Sequence, residues 1–334
     1  MGLNKRLINQ ASASSFGADN FAPVTYTGNR PSTQSITGVG FQPDLVWIKN
    51  RDSSSYPHVL TDSVRGNTKY LVLDTSAQYT GSNTITSFDS DGFSLGDNGY
   101  FNGGLSGAYN EMVAWCWKGG GAAVSNTDGS ITSQVSANQD AGFSIVKFTS
   151  NSPADLRVGH GLSSTPELII YKRLDGTGEW YVVSSEISGY YLRLNSTAAQ
   201  AITSPYSTYF ASGALISSFT PAVTDQIAYC FYSVDGYQKV GSYTGTGSVG
   251  SPTITTGFQP RFVMIKNINL NQEWVMIDSV RGNNPAKTLY PNYSNAEATS
   301  GNNIDFNSDG FTIQESGGGI NYRSGDTFLY LAIA

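Results

Sequence analysis

Two cysteines and two histidines in 334 residues leave little material for a disulfide framework, a zinc site or a histidine-based catalytic centre. Cys116 and Cys230 lie inside the apolar runs AWCWK and AYCFY. They read as small buried core residues rather than as bridge partners. Charge is scarce too: Asp, Glu, Lys and Arg make up 13% of the chain, the net charge is -6 and the isoelectric point is near 4.9. No basic field is left for phosphates, so nucleic acid is not an expected partner. The chain has no apolar run of about eighteen residues, and its start, MGLNKRLINQASASS, lacks a secretory apolar stretch. The expectation is a soluble chain made in a cytoplasm, without membrane insertion.

What the chain has in plenty is glycine, with 37 residues, and tyrosine, with 20, among many serines, threonines and asparagines. That is the composition of short strands joined by many turns. Internal repetition is the strongest signal. GFQP at 40–43 recurs at 257–260, and the strands after it end alike, as DLVWIKN through Asn50 and RFVMIKN through Asn267. DSVRGN at 62–67 returns at 278–283, and FDSDGF at 88–93 returns as FNSDGF at 306–311. Three blocks in one order, spaced to leave room for one more copy between them, define a threefold repeat. The middle copy carries STPELIIYKR in the place of GFQP and its strand. MVAWCWK, IAYCFYS and FLYLAIA close the three copies, and each has the apolar content of a buried strand.

The expected organisation is an N-terminal arm over 1–20, a first module over 21–119, a polar linker over 120–141, and modules over 142–235 and 236–334. Modules two and three, joined by a short junction, should pack directly, with module one hinged or docked through its longer connector. Turn sequences every eight to twelve residues or so favour an all-β fold of three tandem β-sandwich modules, jelly-roll or lectin-like, over a parallel sheet.

The Asp and Arg of each DSVRGN block are three residues apart, so Asp62 with Arg65, and Asp278 with Arg281, are candidates for a structural clamp. Module two has SSEISG there instead. Asp89, Asp91, Asp305 and Asp309 of the SDGF blocks suggest a calcium loop, but the acidic run is brief and an Asp-Gly hairpin accounts for it. His58 and His160 fall at non-equivalent places and read as surface or turn residues, without a nucleophile motif or zinc-ligand spacing. Glu167, Asp175, Glu179 and Glu186 supply the one candidate carboxylate pair for glycoside cleavage. Trp180, Tyr181, Tyr190, Tyr191 and Tyr206, with Tyr100 and Phe101, are candidate platforms for sugar stacking, most of them expected in the core. The reading is of a non-enzyme, with no cofactor, no metal and no assigned ligand-binding residues.

GFQPDLVWIKNR, DSVRGNTKYL, SFDSDGFSLG and VAWCWKGGG, followed by GFSIVKFTSN and GHGL, resemble the repeat proteins common in tailed bacteriophages, especially aquatic ones. The resemblance covers nearly all of the chain after residue 20. It implies a virion structural protein, tail fibre-like or an adhesin that binds the host surface, and it carries no catalytic residue set. Capsid decoration, a head fibre or another virion scaffold role is the alternative, and a glycan-degrading tail spike a weaker one. The expected partners are other virion proteins and a host surface glycan, and a homo-oligomer, a trimer first, is expected.

Overall fold

The repeated apolar segments have no polar residues at alternate positions, as strands covered on both faces require. In the computed structural model, which describes residues 17–104, 110–150, 157–202 and 223–334, these segments form the middle of each module's large sheet. Module one orders its large antiparallel sheet as Phe21–Thr27, Glu111–Trp117, Leu45–Asn50, Val59–Asp62, Lys69–Val72 and Tyr79–Thr80. Module two repeats this with Phe143–Ser150, Thr224–Phe231, Leu168–Arg173, Trp180–Ser184, Tyr190–Arg193 and Ala201–Ile202. Module three uses Gln238–Thr244, Thr327–Ile333, Phe262–Asn267 and Trp274–Asp278. In each, the opening strand pairs with the closing strand, which pairs with the inner strand that follows GFQP or its counterpart.

Modules one and three each add a three-stranded sheet. These are Gln34–Ile36, Gly92–Leu95 and Ile85–Asp89, and Thr253–Thr255, Gly310–Ile313 and Ile304–Asn307. The chain is thus an all-β protein of sandwich-like modules. The SDGF blocks are the tips of the hairpins in the small sheets, with Phe88 opposite Phe93 and Phe306 opposite Phe311. Their glycines are obligatory for a steric reason. A Cβ on Gly92 would stand 1.9 Å from the Ile36 carbonyl oxygen, and one on Gly310 1.9 Å from that of Ile254.

Alternation along the inner strands divides two cores. Leu45 and Trp47 enter one buried cluster while Val46 and Ile48 enter module one's own sandwich core. Leu168 and Ile170 join that same first cluster, and Ile169 and Tyr171 a separate core in module two. Since the first cluster also holds Phe262, Met264 and Leu331, each large sheet turns one face into a core shared by all three modules. Trp117 shows the sharing directly, with ring centroids 6.4 Å from Phe143 and 6.1 Å from Phe262. Module one is therefore docked, not hinged.

The stretch 120–141 is not a linker. Val124–Asn126 and Ser133–Asn138 form strands, the latter pairing with Phe143–Ser150 and extending the sheet of module two to eight strands. Its apolar residues are few but well placed: Ile131 and Val135 are buried in module two's core, enough to seat an edge strand without a long apolar run. Of the expected arm, residues 1–16 lie outside the described residues. Cys116 and Cys230 occupy one position, opposite Val46 and Ile169, and Ala332 opposite Val263 is the third. Both thiols are free and buried, and burial pushes that of Cys230 up to about 12.

Candidate functional site

The Asp–Arg pairs do form clamps, and each is completed by another module. Asp62 ends the second inner strand of module one, and its Oδ1 accepts from the Arg65 backbone at 2.9 Å, turning the chain back. Arg65 Nε then donates to Asp62 Oδ2 at 2.6 Å with both side chains essentially inaccessible. The guanidinium also reaches the Leu60 carbonyl at 3.2 Å. Module three repeats the arrangement, with Arg281 Nε 2.6 Å from Asp278 Oδ2 and a bond from Arg281 to the Met276 carbonyl at 3.4 Å. Two charges buried this deeply need further hydrogen bonds to offset their lost hydration.

Those bonds come across the module boundaries. Tyr229, on the closing strand of module two, donates its hydroxyl to Asp62 Oδ2 at 2.8 Å. Burial, with Asp62 beside it, pushes the Tyr229 phenol well up, so it remains a donor. Trp115, at the same position on module one's closing strand, donates its indole N–H to Asp278 Oδ2 at 2.9 Å, and Arg281 lies 5.3 Å from its ring centroid. The boundary between modules one and three adds a network: Glu297 accepts two bonds from Arg51 at 2.9 Å and a third from Arg281 at 2.9 Å. In module three the donor position is Leu331, and in module two the clamp position is Ser184, opposite Leu168 as Asp62 is opposite Leu45.

Donors thus run from module one to three and from two to one, and a second set of bonds shows that three leans on two in the same sense. Trp180 Nε1 donates to the Val72 carbonyl at 3.0 Å and Trp274 Nε1 to that of Arg193 at 2.9 Å. Val72 and Arg193 hold equivalent places in modules one and two. The place of Trp180 and Trp274 falls to His58 in module one, which lies against the Tyr290 backbone of module three. The three modules form a closed ring with pseudo-threefold order.

His58 is accordingly a seam residue and not a surface one. It is wholly buried, accepts the Trp47 indole N–H at Nδ1 over 2.9 Å and stacks on Trp115 at 13°. Burial, with Lys49 and Arg281 nearby, holds its pKa well below the usual imidazole range. His160 is also buried, its Nδ1 accepting from the Leu162 backbone at 3.1 Å, because the GHGL turn packs inward. Lys49, Lys172 and Lys266, one per inner strand, are buried as well and donate to loop carbonyls. Burial lowers them to about 7, about 8 and about 8.

The four candidate carboxylates have separate employments. Glu167 accepts from the Ser233 backbone at 2.9 Å, Asp175 pairs with Arg173 at 2.6 Å, Glu179 accepts from Asn195 at 2.7 Å and Glu186 from Ser242 at 2.6 Å. Asp91 holds the GFQP loop, accepting from the Gly38 and Gly40 backbones at 3.1 and 2.7 Å, bonds that keep its carboxyl below the usual range. Asp89 accepts from Ser94, and Asp305 from Asn284 and Gln314. No group of three metal-binding side chains occurs among the described residues. Trp180 and Phe101 are core residues, Tyr181, Tyr191 and Tyr100 are half-buried, Tyr190 is 38% exposed, and Tyr206 lies outside the described residues.

A family model described as domain of unknown function (DUF7483) matches residues 17–334. The chain belongs to that family. The match runs over all three modules. No curated protein and no solved structure matches the chain significantly. Among the described residues no helix is long and apolar enough to cross a membrane.

Trp115, Tyr229, Arg51 and Glu297 are the site residues that the motif reading passed over. A faint signal existed: aligning the three closing segments puts Trp115, Tyr229 and Leu331 in one column. Two hydrogen-bond donors in an otherwise apolar column ask for buried acceptors.

Proposed function

We propose that this DUF7483 chain is a non-catalytic structural protein of a bacteriophage particle, a tail fibre-like or adhesin component that presents its module-end loops to the host surface. One observation carries the reading: the motifs that recur between modules are occupied with building. GFQP is held by Asp91, DSVRGN closes the module seams, and SDGF turns a hairpin against a neighbouring carbonyl. An enzyme concentrates its distinctive residues around a reacting atom, whereas these are distributed over turns and interfaces. A closed ring with a shared core is a rigid platform for loops. Repeated shallow contacts from such a body, multiplied by copies on a particle, give strong attachment without a deep pocket. In this reading the partners are other virion proteins and a host surface glycan, the place is the virion, and the chain acts as a homo-oligomer, a trimer first.

Capsid decoration or another scaffold role is the second reading, favoured by the ring's own threefold order, which fits a symmetric site on a shell. A cryo-electron microscopy map of the intact particle with this chain located separates the two. Density at the distal tail in few copies, with purified protein competing for adsorption, supports attachment. Density repeated over the capsid supports decoration and ends the attachment reading. Depolymerisation of host polysaccharide by the purified chain would instead establish the glycan-degrading spike.

A further inference from the structure

Asp44, Glu167 and Arg261 occupy one position, the residue just before the inner strand of each module. Their backbones are fixed identically. Each N–H donates to the closing strand, at Trp117, Phe231 and Ile333, and each carbonyl accepts from the serine after the second inner strand, Ser63, Ser185 and Ser279. The side chains differ in charge and in employment. Asp44 accepts from the Ser63 hydroxyl at 2.6 Å and the Gly119 backbone at 2.8 Å. Glu167 is engaged by Ser233, through the backbone at 2.9 Å and through the hydroxyl. Module three has a cation at this position. Among the described residues no carboxylate and no acceptor engages the Arg261 guanidinium, and only the Tyr237 phenol acts on it electrostatically.

Arg261 lines a concavity of about 510 Å³, of the size that takes one or two sugar rings. All three recurring motifs of the module converge there. Phe258 and Gln259 come from GFQP, Asn283 from DSVRGN, and Phe306 and Ser308 from FNSDGF. Gln259 and Asn283 spend their amide groups on the Phe306 and Ile304 carbonyls, which fixes them in the wall. Ala334 also lines the concavity, and among the described residues no ion pair joins it to Arg261.

We propose that this pocket binds a carboxylated sugar, a uronic or sialic acid unit of a surface polysaccharide, with Arg261 as the anchor for its carboxylate. A planar guanidinium offers a carboxylate two parallel donors. The two phenylalanines supply apolar wall for the carbon face of a ring, and the side-chain carbonyls left to Gln259 and Asn283, with the Ser279 and Ser308 hydroxyls, suit its hydroxyls. A free phosphate would call for several cations or a nest of backbone N–H groups instead. The proposal takes only the source of its ligand from the attachment reading.

The test uses the full chain, with methyl glucuronide and N-acetylneuraminic acid as probes and methyl glucoside and inorganic phosphate as comparators, titrated by saturation-transfer NMR and calorimetry. Binding of one acidic sugar is expected, with the neutral sugar weaker by about tenfold or more. Arg261→Gln is expected to remove that preference without lowering the melting temperature, and Arg261→Lys to keep part of it. Failure of both acidic sugars to bind, equal binding by Arg261→Gln, or full competition by phosphate overturns the proposal. Host-cell adsorption distinguishes the two readings. Acidic-sugar binding without adsorption leaves the pocket standing and removes attachment, while adsorption indifferent to Arg261→Gln and to free glucuronide removes the pocket as the host contact.

Discussion

The seam between modules one and three and the seam between modules three and two solve the same packing problem in different ways. The first buries an ion pair and an indole that donates to it, with Arg51 and Glu297 as a second tie. The second has Leu331 where the indole would be and Ser184 where the aspartate would be, and its polar ties lie elsewhere. Ser242 donates to Glu186 at 2.6 Å, the Gln200 backbone to Ile268 at 3.0 Å, and Lys266 to the Thr197 carbonyl at 3.1 Å. The ring order makes Leu331 the residue that faces module two, so donor and clamp are missing from the same seam. A buried donor without an acceptor, or a buried charge without its partner, costs far more than an apolar pair of similar shape. The lock is therefore present or absent as a unit.

The largest break in that comparison is expected from Asp62→Ala. Among the described residues it leaves buried Arg65 with Gln78, the Leu60 carbonyl and Tyr229 as hydrogen-bond partners and with no other carboxylate. Removing one partner of a buried pair typically costs about 3–5 kcal/mol, and the urea midpoint should fall accordingly. Asp278→Ala is expected to cost less, about 2–3 kcal/mol, because Glu297 still meets Arg281 at 2.9 Å. Equal losses in the two variants would mean that the Glu297 network contributes nothing to its seam. Tyr229→Phe comes next, at about 1–2 kcal/mol, since it deletes the bond to Asp62 and a longer one accepted from Arg65 at 3.4 Å, and leaves the Asp62–Arg65 pair intact. A loss near that of Asp62→Ala would show that the cross-module donor, and not the ion pair, holds the seam.

The strands, the threefold repeat and the clamps were legible because local patterns encode them. Alternation, turn glycines and the three-residue spacing of Asp and Arg act within a few positions of one another. The ring was not legible, because Trp115 and Asp278 are 163 residues apart and nothing local states which module a closing strand faces. His58 misled for a related reason. A histidine in YPHVL reads as a polar turn residue, and only the equivalence with Trp180 and Trp274 shows it filling an aromatic slot. The edge strands of 120–141 were missed because an edge strand needs few apolar residues, and small and polar residues make up most of this stretch.

The smallest effect separates the seams by pH. Glu297 belongs to the module one–three seam alone. Burial raises its carboxyl, but the hydrogen bond from Arg51 and the nearby charge of Arg281 outweigh that, so its folded pKa lies below the ordinary value. A carboxylate depressed by folding contributes stability that is present above the unfolded pKa and is lost as pH falls through the folded one. The wild-type chain should therefore lose stability on acidification below the ordinary carboxylate range, and Glu297→Gln should lose less over that interval. The difference expected between the two slopes is about 1 kcal/mol. It is read from urea midpoints taken at neutral pH and stepwise below the ordinary carboxylate pKa, with Glu186→Gln as the matched change in the other seam. Glu186 is tied to a serine hydroxyl rather than to a guanidinium, so its replacement removes no ion pair. Parallel acid slopes for Glu297→Gln and the wild type would mean that the two arginines do not hold this carboxylate in its charged form. The contrast between the seams would then rest on Trp115 and Asp278 alone.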